Sequence, residues 1–183
     1  MPMPIGHTLS GIALLYAGAP SWRQSRWIVA AVIFFSLLPD FDLLVGLVVA
    51  GDANAYHHQA SHSLLFVIAA GLLGGAVAAR RGRYTGLFIA AGVIHLVLDI
   101  LAVDTSAPYG APLLWPFWNG YFQSPLQIFT DVHRSGVRGE FFASLINRHN
   151  FEALLIEIAV MMPFFLVIYL SRHAKMNARK GSA

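Results

Sequence analysis

Acidic and imidazole side chains interrupt stretches of this sequence that are otherwise apolar. Asp40 and Asp42 lie within FFSLLPDFDLLVG. His95 and Asp99 lie within VIHLVLDIL, and Glu157 lies in the last apolar stretch. An aspartate at the centre of a transmembrane helix costs about 2.5–3.5 kcal/mol. Membrane proteins keep such groups where they pair, face water or hold a cation, so these positions are candidates for a functional site.

The spacing of these residues predicts their local geometry. His95 and Asp99 are four residues apart and share one helix face, so they can bind one metal ion, or Asp99 can orient His95. Asp40 and Asp42 would lie on opposite sides of an ideal helix. Pro39 lacks a backbone N–H and disfavours a helical conformation at the residue before it. A break there would let both carboxylates turn toward one cavity.

Histidines near the ends of the apolar stretches extend this set. His7 opens the first stretch, and the segment YHHQASHS contains His57, His58 and His62. His58 and His62 share a face if the following helix begins early, whereas His57 and His62 converge only if a turn separates them. Ser61 is expected to cap that helix, which favours the turn.

The donor types indicate a metal site. The chain has no cysteine, and imidazole and carboxylate ligands suit zinc, manganese or iron. The ligands are too many for one tetrahedral ion and suit two or three divalent ions, which can clamp both the attacking and the leaving oxygen of a phosphoester. The candidate metal ligands are His7, Asp40, Asp42, His57, His62, His95, Asp99 and Glu157.

Five apolar segments must position these side chains. The chain of 183 residues is 57% hydrophobic and only 11% charged, whereas a soluble domain carries about 25% charged residues. This composition excludes disordered and coiled-coil proteins and predicts an all-α integral membrane bundle of about five transmembrane helices. The net charge of +3 is too small to suggest nucleic acid as a partner. The segments are residues 5–19, 27–49, 62–79, 84–103 and 153–170.

Basic residues predict the orientation of the chain in the membrane. If all five segments cross the membrane, three basic clusters fall on one face, which the positive-inside rule makes cytoplasmic. The N-terminus and the candidate ligands then lie on the outer side of a cell (inner) membrane, and the C-terminus is cytoplasmic. The clusters are Arg23 and Arg26; Arg80, Arg81 and Arg83; and Arg172, Lys175, Arg179 and Lys180.

One connection is unusually long. Residues 104–152 exceed a plain loop and carry aromatic residues among prolines. We expect an ordered outer loop between the fourth and fifth helices, lying in the membrane interface, where aromatic rings settle. Residues 1–171 are predicted to form a single transmembrane domain, and the basic tail 172–183 is predicted to be disordered and cytoplasmic.

The order of the motifs resembles that of the YdjM-like family. The matching motifs are GH at His7, LLPDFD, HHQASHS, HLVLD and YGAPLLWPF, over about residues 6–118. The resemblance implies a membrane-bound, metal-dependent hydrolase of unknown substrate. The family is also distantly similar to zinc-dependent phospholipase C and P1-type nucleases, which suggests phosphodiester hydrolysis and, in a membrane, a lipid substrate. The implied ligands are His7, Asp40, Asp42, His57, His62, His95 and Asp99.

One departure from the family pattern affects the substrate. The pattern has Arg and Gly where this chain has His58 and Gln59, and Ser61 stands in place of Thr. An arginine there would suit a phosphate, and a protonated His58 could partly replace it. We therefore expect His58 to be catalytic, with Asp40 and Asp42 sharing the roles of ligand and base.

Two functions account for these residues. The first is a membrane-embedded hydrolase of phosphoester or phospholipid-type substrates that uses water activated by metal ions. The alternative is a transporter or channel for divalent cations or protons that uses the same side chains as a pathway. A pathway needs polar groups that continue to the cytoplasmic side, and the inner halves of these segments are almost wholly apolar.

Overall fold

The computed structural model describes residues 1–18, 25–78, 82, 84–105 and 107–181, with side chains described up to residue 174. This part of the chain is all-helical and contains no strand, only three isolated bridges. The all-α prediction is therefore confirmed for these residues. The helices are α1 Pro4–Gly18, α2 Arg26–Leu37, α3 Phe41–Val49, α4 Leu64–Val77, α5 Thr85–Ile100, α6 Phe141–Ser144 and α7 Arg148–Gly181, with short 3-10 turns at Leu38–Asp40, Ala53–Ala55 and Ala60–His62.

Helices α1, α2 and α5 form the centre of the bundle. Each packs against the other two, while α7 lies against α1 and α4 lies against α5. Leu15, Val32 and Phe88 bury their side chains where the three central helices meet. The outward faces remain apolar, as Leu73 on α4 and Val167 on α7 show. Apolar side chains on the outside as well as the inside are expected when the surroundings are lipid.

Glycines bring α4 and α5 into close contact. A Cβ atom on Gly71 would lie 2.5 Å from Cγ1 of Ile89, and one on Gly92 would lie 2.7 Å from Cβ of Val67. Neither position has room for a side chain. Small residues allow helix backbones to approach closely in membranes, where van der Waals packing drives association.

Two helical segments are long and apolar enough to cross a membrane. They are Arg26–Val49, which contains the turn at Leu38–Asp40, and Arg148–Ala174. Helices α4 and α5 are apolar but shorter, and the 16 residues of α5 reach about 24 Å against a hydrocarbon core of about 30 Å. The structure thus supports two candidate spans of the five that the sequence predicts.

The predicted orientation depends on basic residues that lie largely outside the described part of the chain. Arg23, Arg80, Arg81 and Arg83 are not described, and the side chains of residues 175–181 are not described either. Arg172 is described, and its Nη2 donates to the carbonyl oxygen of Ala17 at 2.6 Å. This bond ties the end of α1 to α7.

The C-terminal tail differs from its prediction. The sequence predicts disorder from residue 172, whereas α7 continues to Gly181. The tail is rich in alanine, lysine and arginine, which are good helix formers. These residues extend a helix that already exists, so they avoid the free-energy cost of nucleation.

The connection between α5 and α6 is ordered by hydrogen bonds. Ala111 and Phe122 exchange two backbone bonds of 2.9 Å, and Val103 N–H donates to Phe129 at 2.9 Å. Farther along, the guanidinium of Arg138 donates to the carbonyls of Leu47 and Val48 at 2.6 Å each. These contacts fasten the connection to the ends of α5 and α3.

Candidate metal centre

The turn between α2 and α3 aims two carboxylates at one histidine. Pro39 lies in the 3-10 turn Leu38–Asp40, as the sequence predicts. Asp40 Oδ1 is 3.5 Å from Nε2 of His62, and Asp42 Oδ2 is 3.1 Å from Nδ1 of the same ring. Both carboxylates therefore meet His62 on its two opposite nitrogens.

His95 is held in one tautomer by the backbone of α2. Its Nδ1 lies 2.7 Å from the carbonyl oxygen of Ser36. Because a carbonyl only accepts, Nδ1 carries the proton and Nε2 is left with a lone pair. That Nε2 lies 3.0 Å from Asp99 Oδ2 and 3.5 Å from Nε2 of His62. This arrangement is typical of a histidine prepared to bind a metal.

Helix α1 adds His7 to the same cluster. Its Nε2 is 3.5 Å from Asp99 Oδ1, and its ring stacks on that of His95 with centroids 3.9 Å apart. A Cβ on Gly11 would lie 2.2 Å from Oγ of Ser36. This close approach of α1 and α2 brings His7 down onto α5.

The turn before α4 supplies two more imidazoles. His57 Nδ1 is 2.9 Å from Asp42 Oδ1. His58 has a left-handed backbone with φ 54°, a conformation that few residues adopt unless their surroundings impose it. Its ring stacks on His57 with centroids 4.1 Å apart, and Nδ1 lies 3.5 Å from Asp104 Oδ2.

The residue that caps α4 lies two positions later than predicted. Ser63, not Ser61, caps α4 by accepting a hydrogen bond from the N–H of Phe66. Ser61 lies in the preceding 3-10 turn and donates to Asp42 Oδ2 at 2.6 Å. This 3-10 turn brings His57 and His62 together, in agreement with the prediction that the two residues converge only if a turn separates them.

The convergent side chains fall into overlapping groups that could each hold a cation. Within each group the potential ligand atoms lie within 4.8 Å of one another. His95 and His62 each belong to two groups, so the groups adjoin. The three groups are His7, His95 and Asp99; Asp40, His62 and His95; and His57, His58 and His62.

Several atoms of this cluster are buried without a hydrogen-bond partner. They include both nitrogens of His7 and both carboxylate oxygens of Asp40 and of Asp99. Buried polar groups are costly when unsatisfied. Imidazole nitrogens and carboxylate oxygens that converge without bonding to one another leave a place that suits a divalent cation. The residues present therefore fit the metal ions that the motifs imply.

The electrostatic field of the cluster also favours cations. His62 lies between the carboxylates of Asp40 and Asp42, with nitrogen-to-oxygen distances of 3.5 Å and 3.1 Å, so negative charge flanks this ring on both sides. At His57, burial dominates and lowers the pKa to about 4, despite the opposing bond to Asp42. His57 is therefore neutral near pH 7, the form in which imidazole binds a metal.

Comparison with known proteins identifies the family. A family model described as YdjM inner membrane protein matches residues 1–176. The chain belongs to the YdjM inner membrane protein family. Neither a curated protein nor a solved structure matches it. Membership of the YdjM family places the chain in a lipid bilayer, in agreement with the apolar outward faces of α4 and α7.

Glu157 does not join the cluster of ligands. Its carboxylate accepts hydrogen bonds from the N–H groups of Met3 and Gly6, the latter at 2.9 Å. It therefore caps the first turn of α1, which carries His7. Among the described residues, Glu157 is in none of the groups that could hold a metal. The structure thus gives it a helix-capping role where the sequence suggests a ligand.

Asp42 also differs from a simple ligand. It is in none of the groups, and its oxygens are engaged by His57, His62 and Ser61. A carboxylate that accepts a hydrogen bond from the ring nitrogen not bound to the metal fixes the orientation of a ligating histidine and raises its basicity. Its position fits this orienting role.

A polar cavity of about 280 Å³ adjoins the cluster at His57 and His58. Its walls include His57 and His58, together with Asp104 and Arg134 from the long connection. Arg134 is not among the site residues predicted from the sequence. Nothing in the sequence around Arg134 marks it as a site residue, since it lies in an irregular segment without a motif. Tyr121 of the long connection also lines the cavity.

A second cluster lies nearer the surface. Asp131, His133 and His149 bring ligand atoms within 4.8 Å of one another. The rings of His133 and His149 stack with centroids 3.7 Å apart. His149 Nε2 already bonds to Asp131, with its carboxylate oxygen at 3.0 Å. These contacts join the long connection to the start of α7.

Proposed function

We propose that this member of the YdjM family is a membrane-embedded, metal-dependent hydrolase of phosphoesters. The observation that carries the proposal is the set of buried, unpaired ligand atoms of His7, Asp40 and Asp99, in a cluster that reaches a polar cavity through His57 and His58. Such a combination of convergent donors and an accessible cavity is the usual form of a catalytic metal site.

The ligands would hold two or three divalent ions, zinc being the best match to the donors. His7, His95 and Asp99 would hold one ion. Asp40 and His62 would hold a neighbouring ion, and His95 would bind one ion only, because its Nδ1 donates to Ser36. Ions bound there supply Lewis-acid activation of water and of the phosphoryl oxygens.

The protein's own groups would handle the protons. Asp40 has two unpaired oxygens, so one can bind a cation while the other accepts a proton from the attacking water. The water oxygen attacks phosphorus, and the bond between phosphorus and the leaving oxygen breaks. His58, which lines the polar cavity and has an unpaired Nε2, would donate a proton to that leaving oxygen. Asp42 would orient His57 and His62.

The competing transport function needs a polar route through the whole bilayer. The polar groups gather where α1 and α4 begin and α5 ends. Helix α4 is LLFVIAAGLLGGAV, without one polar side chain. This distribution favours a site that opens to one side.

We also propose a multi-pass arrangement in the inner membrane with N-terminus and site outside and C-terminus inside. It follows from the basic clusters and the positive-inside rule. Since the chain lacks cysteine, Phe117→Cys in the exposed connection and Ser182→Cys can be labelled separately in intact cells. Labelling of the first alone by a membrane-impermeant reagent supports this orientation, and labelling of the second alone reverses it.

The test of function combines metal analysis with turnover. Detergent-purified protein should contain more than one transition-metal ion per chain and hydrolyse a small phosphodiester such as bis(p-nitrophenyl) phosphate. Asp99→Asn should lower both metal content and rate. His173→Ala, an exposed histidine near the end of α7, is the matched control and should change neither. Metal-loaded protein without turnover on any phosphoester would refute the hydrolase.

A further inference from the structure

A second cavity adjoins the metal centre and is lined almost entirely by apolar side chains. Its volume is about 450 Å³, within the range of small-molecule sites. Leu43, Phe141 and Leu145 contribute to its walls. Asp40 and Arg134 carry the only charged side chains among the described residues that line it. The cavity therefore combines a hydrocarbon-lined volume with one ligand carboxylate and one cation.

The two cavities share one wall. Met1, Val132 and Arg134 line both the polar cavity above His57 and His58 and the apolar cavity beside Asp40. Arg134 thus stands between a place suited to a polar head and a place suited to a hydrocarbon chain. Arg134 can therefore contact a ligand in either cavity.

Arg134 is only partly bonded within the protein. Its Nη2 donates to Asn54 Oδ1 at 3.3 Å, while its buried Nε has no hydrogen-bond partner. Burial lowers the pKa of Arg134, and the negative charges of Asp40, Asp42, Asp104 and Asp99 oppose that effect. An arginine remains charged in proteins. It therefore offers an unused donor and a positive charge beside the metal centre.

The backbone on each side of Arg134 is fixed. His133 N–H donates to Asn150 Oδ1 at 2.8 Å, and Ser135 N–H donates to Ser144 Oγ at 2.7 Å. Arginine forms paired hydrogen bonds with phosphate oxygens through its planar fork. A guanidinium carried on an anchored backbone is organised for such a contact before the ligand arrives.

The apolar cavity adjoins exposed apolar surface. Its lining residues Ile5, Leu44 and Phe142 are also among the exposed large hydrophobic residues. Exposed apolar side chains of a membrane protein are expected to face lipid. A hydrocarbon chain could enter there from the bilayer without crossing water.

We propose that the substrate is a lipid phosphate whose phosphate binds between the metal centre and Arg134 and whose hydrocarbon chain occupies the apolar cavity. This inference rests on the proposed hydrolase function and names its substrate class. It also gives Arg134 the phosphate-binding role that an arginine beside His57 would have filled, at the position where this chain has His58. The charge of the guanidinium complements the phosphate, and the lining of the cavity complements the chain.

Binding of alkylphosphonates tests the proposal without depending on turnover. These compounds have a C–P bond in place of the ester linkage, so the enzyme would not hydrolyse them. Zinc-loaded, full-length protein in detergent is titrated by calorimetry with methyl-, butyl- and octylphosphonate. Each buried CH2 contributes about 0.8 kcal/mol, which corresponds to about a fourfold lower Kd per CH2. Affinity that does not depend on chain length would overturn the assignment of the apolar cavity.

Variants separate the two halves of the site. Leu145→Trp and Leu44→Trp fill the apolar cavity from two different elements, so octylphosphonate should bind no more tightly than methylphosphonate. Leu72→Trp, on the outward face of α4, should keep the chain-length dependence. If Leu72→Trp removes the chain-length dependence to the same extent, that dependence arises from partition of the phosphonates into detergent, and the proposal is wrong.

Arg134→Gln should weaken binding of every phosphonate about tenfold or more, as expected for a charged hydrogen bond, while the dependence on chain length and the metal content stay the same. Arg148→Gln is the matched control, since Arg148 is exposed on α7. Unchanged affinity in Arg134→Gln would remove this residue from phosphate binding. Hydrolysis of bis(p-nitrophenyl) phosphate is measured in parallel, so failure of the hydrolase is distinguished from failure of the lipid assignment.

Discussion

His95 donates its Nδ1 proton to the backbone carbonyl oxygen of Ser36 across a distance of 2.7 Å. This bond joins α5 to α2 next to the turn that carries Asp40. It leaves Nε2 of His95 facing His62 and Asp99. The contact that packs two central helices therefore also selects the tautomer that a metal requires.

Removal of His95 should lower the metal content. His95 belongs to two adjoining groups, so His95→Ala is expected to lose about one bound ion or more per chain. Elemental analysis of the purified protein measures this loss, with His173→Ala as the control. Full metal occupancy in a folded His95→Ala protein would show that His95 only packs against α2.

Asp42→Asn should weaken metal binding rather than abolish it. Asp42 contacts His57, His62 and Ser61 instead of joining a group of ligands. Loss of a carboxylate that orients ligating histidines typically lowers affinity about 10–100-fold. Competition with a chelator gives the affinity, while stoichiometry at saturating zinc should equal that of the wild type. A lower stoichiometry at saturation would make Asp42 a direct ligand.

Glu157→Ala should reduce stability more than metal binding. The variant leaves the N–H groups of Met3 and Gly6 without their acceptor, at a cost of about 1–3 kcal/mol. Thermal unfolding in detergent is expected at a lower temperature, with the number of zinc ions bound at saturation unchanged. Glu152→Ala is a suitable control, because Glu152 pairs with exposed Arg148 on the same helix. Metal loss in folded Glu157→Ala would restore Glu157 to the ligand set.

The close packing of α4 and α5 can be tested within one helix. Gly92→Val places a Cβ 2.7 Å from Cβ of Val67, so overpacking should destabilise the protein by about 1–3 kcal/mol. Gly86→Ala meets nothing within 4 Å and should be neutral or stabilising by up to about 1 kcal/mol. Comparison of the two unfolding midpoints checks the prediction, and equal midpoints would contradict it.

Much of the candidate site could be predicted from sequence because local patterns determine it. Carboxylates and imidazoles within apolar stretches carry a large desolvation cost, which marks them wherever the chain folds. The break at Pro39 follows from the missing N–H of proline and its steric effects on the neighbouring residue. The shared face of His95 and Asp99 follows from helix periodicity alone.

Tertiary structure alone decided which atoms of those residues meet. Glu157 and Gly6 are 151 positions apart, and only the packing of α7 on α1 shows that the carboxylate caps a helix. Arg134 enters the site because hydrogen bonds from distant residues anchor its neighbours. The sequence specifies helices and polar groups through short-range preferences, whereas contacts between distant elements depend on how the helices pack. For that reason the ligand types could be predicted from sequence, while the separation of ligands from orienting and capping groups required the fold.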